Sequence, residues 1–238
     1  MIDLFKLVDE GTEITIHPLT ERRGKLLFID CDSTLSNIEG IDELARLSNP
    51  AIFAEVVALT NAAMNGEVPL DEVFQLRMEI IRPDKSMMDQ VSQRYLETIV
   101  PGAVDMLGMA IGDGWLPVIV SGGFAPLIRP LATVLGISHV EAVPLYINER
   151  GDYDGYGKDY PTTRNLGKNE IIREWRSALL PERIVMIGDG ISDLETKPEV
   201  DLMIGFGGVV QREKVRHGAH IWLDDFNDLE NLRSVLAG

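Results

Sequence analysis

The feature that most constrains this chain is an uninterrupted apolar run that stops on acid: Leu26-Leu27-Phe28-Ile29, then Asp30-Cys31-Asp32-Ser33-Thr34. Four apolar residues without alternation describe a strand covered on both faces. In an extended or tightly turning segment, the carboxylates of Asp30 and Asp32 can point to the same side. Two anions held that close repel unless a cation or a shared proton intervenes. Open α/β sheets bind ligands at the carboxyl ends of their strands, so the run predicts a site there. The plainer reading, strand termination and helix capping by Asp and Ser, has to be weighed against the other strand ends of the chain.

Those ends repeat the theme. Arg183-Ile184-Val185-Met186-Ile187-Gly188 is a second core strand that runs into Asp189-Gly190-Ile191-Ser192-Asp193. Asp189 falls at its tip and Asp193 one helical turn on, so both can face one ligand. A third strand, Leu116-Pro117-Val118-Ile119-Val120, ends in Ser121-Gly122-Gly123-Phe124. Its glycines permit close backbone approach, and their amides can cradle an anion. Lys168 stands just before a helix expected over 170–180, where the helix dipole disfavours a cation, and this points to a function. Alternating strands and helices predict an α/β fold with a doubly wound, mostly parallel sheet.

If the acidic strands are neighbours, Asp30, Asp32, Asp189 and Asp193 share one crevice. Oxygen-only ligands without histidine or cysteine favour Mg²⁺. Ser121, the glycine amides and Lys168 add hydrogen-bond donors and one positive charge, a set suited to phosphoryl transfer. No Gly-x-x-x-x-Gly-Lys-Ser/Thr loop is present, which argues against a P-loop NTPase. Hydrolysis of a small phosphomonoester through an aspartyl-phosphate fits best.

From about residue 40 to 95 the pattern is helical. Ala54, Val57, Ala58 and Ala62 recur at three- and four-residue steps, as do Val73, Leu76, Arg77 and Ile80. Met87, Met88, Val91, Tyr95 and Leu96 mark one more helix. This block follows the first acidic strand directly and is a candidate lid. Met64, beside a Gly-containing turn, can face a ligand, and Arg77 can clamp a carboxylate, although such residues are mostly core filler or surface charge. Further on, one strand is expected over 139–147 and a hairpin near 152–160. An edge strand is expected over 13–17. His17, His217 and His220 have no acidic or cysteine partners at metal-ligand spacing and read as structural or exposed.

Composition narrows the partners. With 22 Lys plus Arg against 38 Asp plus Glu, the formal charge of −16 disfavours nucleic acid and anionic membranes. A small phosphorylated metabolite remains admissible once a metal and local basic groups neutralise it. A single cysteine, Cys31, excludes an internal disulfide and fits a reducing compartment. Without a signal pattern or a spanning apolar run, a cytoplasmic location is expected.

The chain also resembles a known family over residues 26 to 230. The resemblance rests on Asp30-Cys31-Asp32-Ser33-Thr34, Glu39-Gly40-Ile41-Asp42-Glu43-Leu44-Ala45, the stretch from Met64 to Pro69, and Val120-Ser121-Gly122-Gly123-Phe124. It continues in Gly167-Lys168, Gly188-Asp189-Gly190-Ile191-Ser192-Asp193 and Ile204-Gly205-Phe206-Gly207-Gly208. Together these are similar to the haloacid dehalogenase superfamily and, within it, to the phosphoserine phosphatases. The resemblance implies that Asp30 is the nucleophile and Asp32 the general acid/base. It implies Mg²⁺ on the Asp30 carboxylate, the Asp32 backbone carbonyl and Asp189, with Asp193 in support. Ser121, Gly122 and Lys168 would bind phosphate, Glu39 the substrate ammonium and Arg77 its carboxylate. The implied organisation is an N-terminal extension (1–24), an α/β core (25–38 and 98–238) and a helical cap (39–97).

Three positions depart from the family pattern: Cys31 between the aspartates, Leu70 for a common Phe, and Val209 for a common Asn. The last two leave open another small phosphorylated amine or acid as substrate. A receiver-like phospho-aspartate module is a further alternative. The helical insert and Asp32 speak against it, because a receiver needs neither a lid nor an acid for a leaving alcohol.

Overall fold

The computed structural model describes residues 24–48, 50–65 and 67–237. The edge strand expected over 13–17, with His17, lies outside them. The central sheet has six strands, all parallel: β1 (Lys25–Ile29), β2 (Trp115–Phe124), β3 (His139–Val143), β6 (Arg183–Gly188), β7 (Leu202–Phe206) and β8 (Ile221–Leu223). Their spatial order is β3-β2-β1-β6-β7-β8, so β1 is central and the order reverses beside it. Alternate residues of β1 enter different cores. Leu27 and Ile29 join one apolar cluster, and Leu26 and Phe28 join another on the opposite face. Burial on both sides explains why the run carries no polar alternation.

Helices cover each face. The first cluster takes in residues of α5 (Ala103–Gly112), α6 (Ala125–Val134) and α10 (Leu229–Ala237). The second takes Ile171, Ile172 and Trp175 of α7 (Gly167–Leu179) and Val215 of α9 (Glu213–Gly218). A short helix α8 (Ile191–Leu194) follows β6. Between β1 and α5 the chain forms α1 (Gly40–Ser48), α2 (Pro50–Met64), α3 (Leu70–Ile81) and α4 (Lys85–Glu97). Phe74 of α3 packs edge-on against Phe124 at the tip of β2, with ring centroids 5.7 Å apart. Among the described residues, no helix is long and apolar enough to cross a membrane.

Several local expectations change. The single strand expected over 139–147 is two, because Pro144 separates β3 from β4 (Leu145–Ile147). β4 pairs antiparallel with β5 (Tyr153–Tyr156), so the hairpin spans 145–156 and turns ahead of β5, earlier than the expected 152–160. α2 exists, but its face differs: Val56, Thr60 and Ala63 are buried, while Ala54 and Ala58 are exposed. An almost wholly apolar helix has no stripe to read, and the polar Thr60 is held inside by partners on other helices. In α3, Leu76 points outward and Phe74 and Met78 inward. α7 begins three residues before its expected start. There Gly167 lies so close to Pro161 that an added Cβ would sit 1.7 Å from that carbonyl oxygen.

Candidate active site

Strand register brings the chemical groups to one edge of the sheet. Ile29 pairs with Ile119 on one side and Ile187 on the other. Asp30, whose N–H donates to the Ile187 carbonyl at 2.9 Å, therefore lies between the ends of β2 and β6. Carboxylate oxygens of Asp30, Asp189 and Asp193 come within 4.8 Å of one another. Lys168, in the first turn of α7, donates to Asp30 Oδ1 at 2.9 Å and to Asp193 Oδ1 at 2.6 Å. Burial works against its charge, but the Asp193 and Asp30 carboxylates outweigh that and hold its pKa above the ordinary value.

The acids push one another upward. Desolvation first and the Asp30 charge second raise Asp189 to about 6, and the same causes raise Asp193. A compact set of buried oxygen donors in excess of its basic neighbours, with no histidine or cysteine, fits a hard divalent cation such as Mg²⁺.

The Asp32 carboxylate does not belong to this trio. Tyr95 donates its hydroxyl to Oδ1 at 2.5 Å, and the Gly40 amide donates to Oδ2 at 3.0 Å. Desolvation raises Asp32 to about 7, with the Tyr95 hydrogen bond pulling the other way. Burial, then the facing Asp32 carboxylate, push the Tyr95 hydroxyl well up, so it stays a donor. The turn after β1 places Asp32: Thr34, Leu35 and Ser36 amides all converge on the Cys31 carbonyl, with Ser33 at φ 54°. Cys31 itself is fully buried.

Asp30, Asp32, Ser121, Gly122, Lys168 and Asp189 border one cavity of about 30 Å³, and Glu39, Met64 and Arg77 enter it from the helical block. Asp193 is fully buried behind it. Ser121 Oγ accepts the Gly123 amide at 2.9 Å, which leaves its proton to donate elsewhere. Ser121-Gly122-Gly123 continues β2 through a register shift and is not a separate turn. Glu39 accepts from Ser33 Oγ at 2.8 Å and is raised by desolvation, then by Asp32 and Asp189. Arg77, 2% exposed, donates from Nη1 to Thr60 Oγ1 at 2.9 Å, and Thr60 donates to Asp42 at 2.5 Å. The Arg77 Nε has no hydrogen-bond partner.

Sequence reasoning missed Arg212. It donates to Asp189 Oδ2 at 3.1 Å and Asn65 Oδ1 at 3.3 Å, and reaches Glu39 at 3.8 Å. It lies in the segment between β7 and α9, where no local pattern marks it. Val209, three residues earlier, packs half-buried against the main apolar cluster. The side chain of Leu70 lies outside those described. Thr162, another buried residue that the sequence did not single out, borders the cavity with an unpaired hydroxyl. Of the remaining histidines, His217 is exposed and His220 Nδ1 accepts the Met203 amide at 2.9 Å.

Known proteins resemble this chain in sequence and fold. The model of the haloacid dehalogenase-like hydrolase family matches residues 27–196. The mouse phosphoserine phosphatase is 32% identical over 202 residues, covering 84% of this chain and 89% of the relative. The Drosophila melanogaster phosphoserine phosphatase is 33% identical over 211 residues, covering 87% and 77%. Among solved structures, a phosphoserine phosphohydrolase-like protein from Francisella tularensis superposes with a TM-score of 0.79 at 24% identity, covering 87% of this chain and 99% of its own. A substrate-bound phosphoserine phosphatase complex does so with 0.76 at 23%, covering 90% and 99%. The donor set at the strand ends suits metal-assisted hydrolysis of a phosphomonoester. With the family model spanning most of the chain and these strand-end acids in place, the protein belongs to the haloacid dehalogenase-like hydrolases.

Proposed function

We propose that this protein hydrolyses O-phospho-L-serine to L-serine and phosphate, with α1–α4 acting as a cap over the strand ends. The observation that carries the substrate assignment is Arg77. A guanidinium buried at a cavity wall with an unpartnered Nε calls for an anionic acceptor, and Glu39 offers the opposite charge at the same cavity. A zwitterionic amino acid presents the matching carboxylate and ammonium. The relatives at 32–33% identity bear the same activity in their names.

The chemistry follows from the chain's own groups. Asp30 attacks phosphorus with its carboxylate while the bond to the seryl oxygen breaks, and Asp32 gives that oxygen its proton. A water then loses a proton to Asp32 and attacks the aspartyl-phosphate. The Asp30–phosphorus bond breaks, and phosphate leaves with Asp30 restored. Lys168, Ser121 and the Gly122 amide hold the phosphoryl oxygens throughout. Asp30, Asp189 and Asp193 would hold Mg²⁺, which when bound offsets the negative charge of phosphate and carboxylates. The cavity of about 30 Å³ places the cap close over the strand ends.

Each charged hydrogen bond to substrate is worth roughly 1.5–3 kcal/mol, which predicts about tenfold to a few hundredfold in kcat/KM. Glu39→Gln is expected to weaken phosphoserine turnover and spare 3-phosphopropionate, which lacks the ammonium. Arg77→Ala is expected to spare phosphoethanolamine, which lacks the carboxylate. Measuring kcat/KM of both variants on both analogues tests the assignment. Uniform losses mean that the two residues only hold the cap together, and the substrate is then another small phosphorylated amine or acid. Stable aspartyl phosphorylation without turnover would instead favour the receiver-like reading.

A further inference from the structure

Tyr95 is a buried group in contact with the site that the reaction outlined above leaves unused. It ends the buried face of α4, after Met88 and Val91, and its side chain is fully enclosed. At such a position phenylalanine would pack as well, yet the phenol oxygen reaches Asp32 Oδ1 at 2.5 Å. The other carboxylate oxygen takes the Gly40 amide at 3.0 Å, so two donors on two oxygens hold the carboxylate in one orientation.

The hydroxyl also has a slot built for it. A Cβ at position 40 would lie 2.0 Å from the Tyr95 oxygen, so Gly40 both admits the phenol and supplies the second donor. A Cβ at Gly123 would lie 3.5 Å from it on the other side. The loop bearing Asp32 is tied to the end of α4 by separate bonds: Asn37 N–H to the Thr98 carbonyl at 2.8 Å, and Ser36 Oγ to the Tyr95 carbonyl at 3.2 Å. Phenol and carboxylate are therefore carried on one tied unit, although 63 residues separate them.

We propose that Tyr95 is a positioning residue for proton transfer: its hydroxyl aims Asp32 at the oxygen of the departing alcohol. This rests on the reading of Asp32 as the general acid. Asp32 surrenders its proton to the leaving oxygen as the phosphorus–oxygen bond breaks, and Tyr95 keeps its own. A high-pKa alkyl leaving group needs that proton in flight, whereas an aryl leaving group departs without it.

The test compares wild type, Asp32→Asn and Tyr95→Phe on phosphoserine and 4-nitrophenyl phosphate, with Mg²⁺ present. Tyr95→Phe is expected to fold normally and to lose about 10–100-fold in kcat on phosphoserine. KM should be unchanged, and the first-turnover burst of 4-nitrophenol, which reports leaving-group departure apart from the later hydrolysis that Asp32 also serves, should stay within about twofold of wild type. Tyr95→Met, which fills the slot differently without a hydroxyl, should repeat the selectivity if Tyr95→Phe melts early. Equal losses in phosphoserine kcat and in the 4-nitrophenol burst rate, a change confined to KM, or no loss in either folded variant overturns the proposal. The arms separate its failure from that of the underlying reading. Asp32→Asn selective with Tyr95→Phe unselective removes Tyr95 alone, whereas an unselective Asp32→Asn removes the acid assignment and this inference together.

Discussion

Asp30→Asn is expected to lower phosphomonoester turnover by on the order of 10⁴-fold or more while leaving the fold intact. An amide cannot form the acyl-phosphate, so the loss falls on chemistry and not on binding. The fold should tolerate the change for an electrostatic reason. Asp30 shares a buried space with Asp189 and Asp193, and its charge is among the causes that raise both of their pKa values. Removing it relieves repulsion, while Lys168 keeps its 2.6 Å bond to Asp193. Thermal unfolding should thus match or exceed wild type. Acid-quenched wild-type enzyme should carry one phosphoryl group that maps to Asp30 and not to Ser33 or Ser121. Near-normal phosphate release from the folded variant would sink the nucleophile assignment.

Lys168→Met should damage stability and catalysis together. The ammonium is 5% exposed and touches two buried carboxylates, so its removal leaves uncompensated charge in the core. Breaking such a pair costs roughly 3–5 kcal/mol, readable as a lower urea midpoint. The sign follows from the raised lysine pKa. The stabilisation is complete below the ordinary value of about 10.4 and is lost only as pH climbs through the higher folded value. The deficit should therefore be present at neutral pH. Loss of a phosphate contact adds about 10²–10³-fold in kcat on every phosphoester, irrespective of the rest of the substrate. Loss confined to phosphoserine would contradict a phosphate-binding role.

Those two residues were legible in the sequence to different depths. Asp30 stands out because four apolar residues precede it, and that contrast is local to the chain. Lys168 stands out only as a cation at a poor place in a helix, and its partners lie just past the end of β1 and on α8, far away in sequence. The resemblance to a family assigned it to phosphate, and only the fold shows it bridging Asp30 and Asp193. The changed face of α2 has a plain cause. Helix α2 is apolar nearly all round, so periodicity could not tell that Val56 and Thr60 face inward and Ala54 and Ala58 outward. Thr60 is buried because Asp42 and Arg77, on two other helices, need its hydroxyl between them.

By itself the sequence determined which segments had to be buried on both faces, and hence a layered α/β sheet with acids at its strand ends. Apolar runs and their abrupt ends are properties of neighbouring residues, and water penalises any other arrangement of them. What the sequence could not encode locally is which side chains meet across the layers. Tyr95 reads as one more apolar position on a helix face, and nothing local marks Arg212. Only the packing of α4 against the turn after β1 sets a phenol on Asp32, and only the placing of the segment after β7 beside Asp189 and Asn65 gives Arg212 its partners. Hydrogen bonds and ion pairs depend on a few tenths of an ångström between groups brought together by the chain's path, and that geometry exists only once the layers have packed.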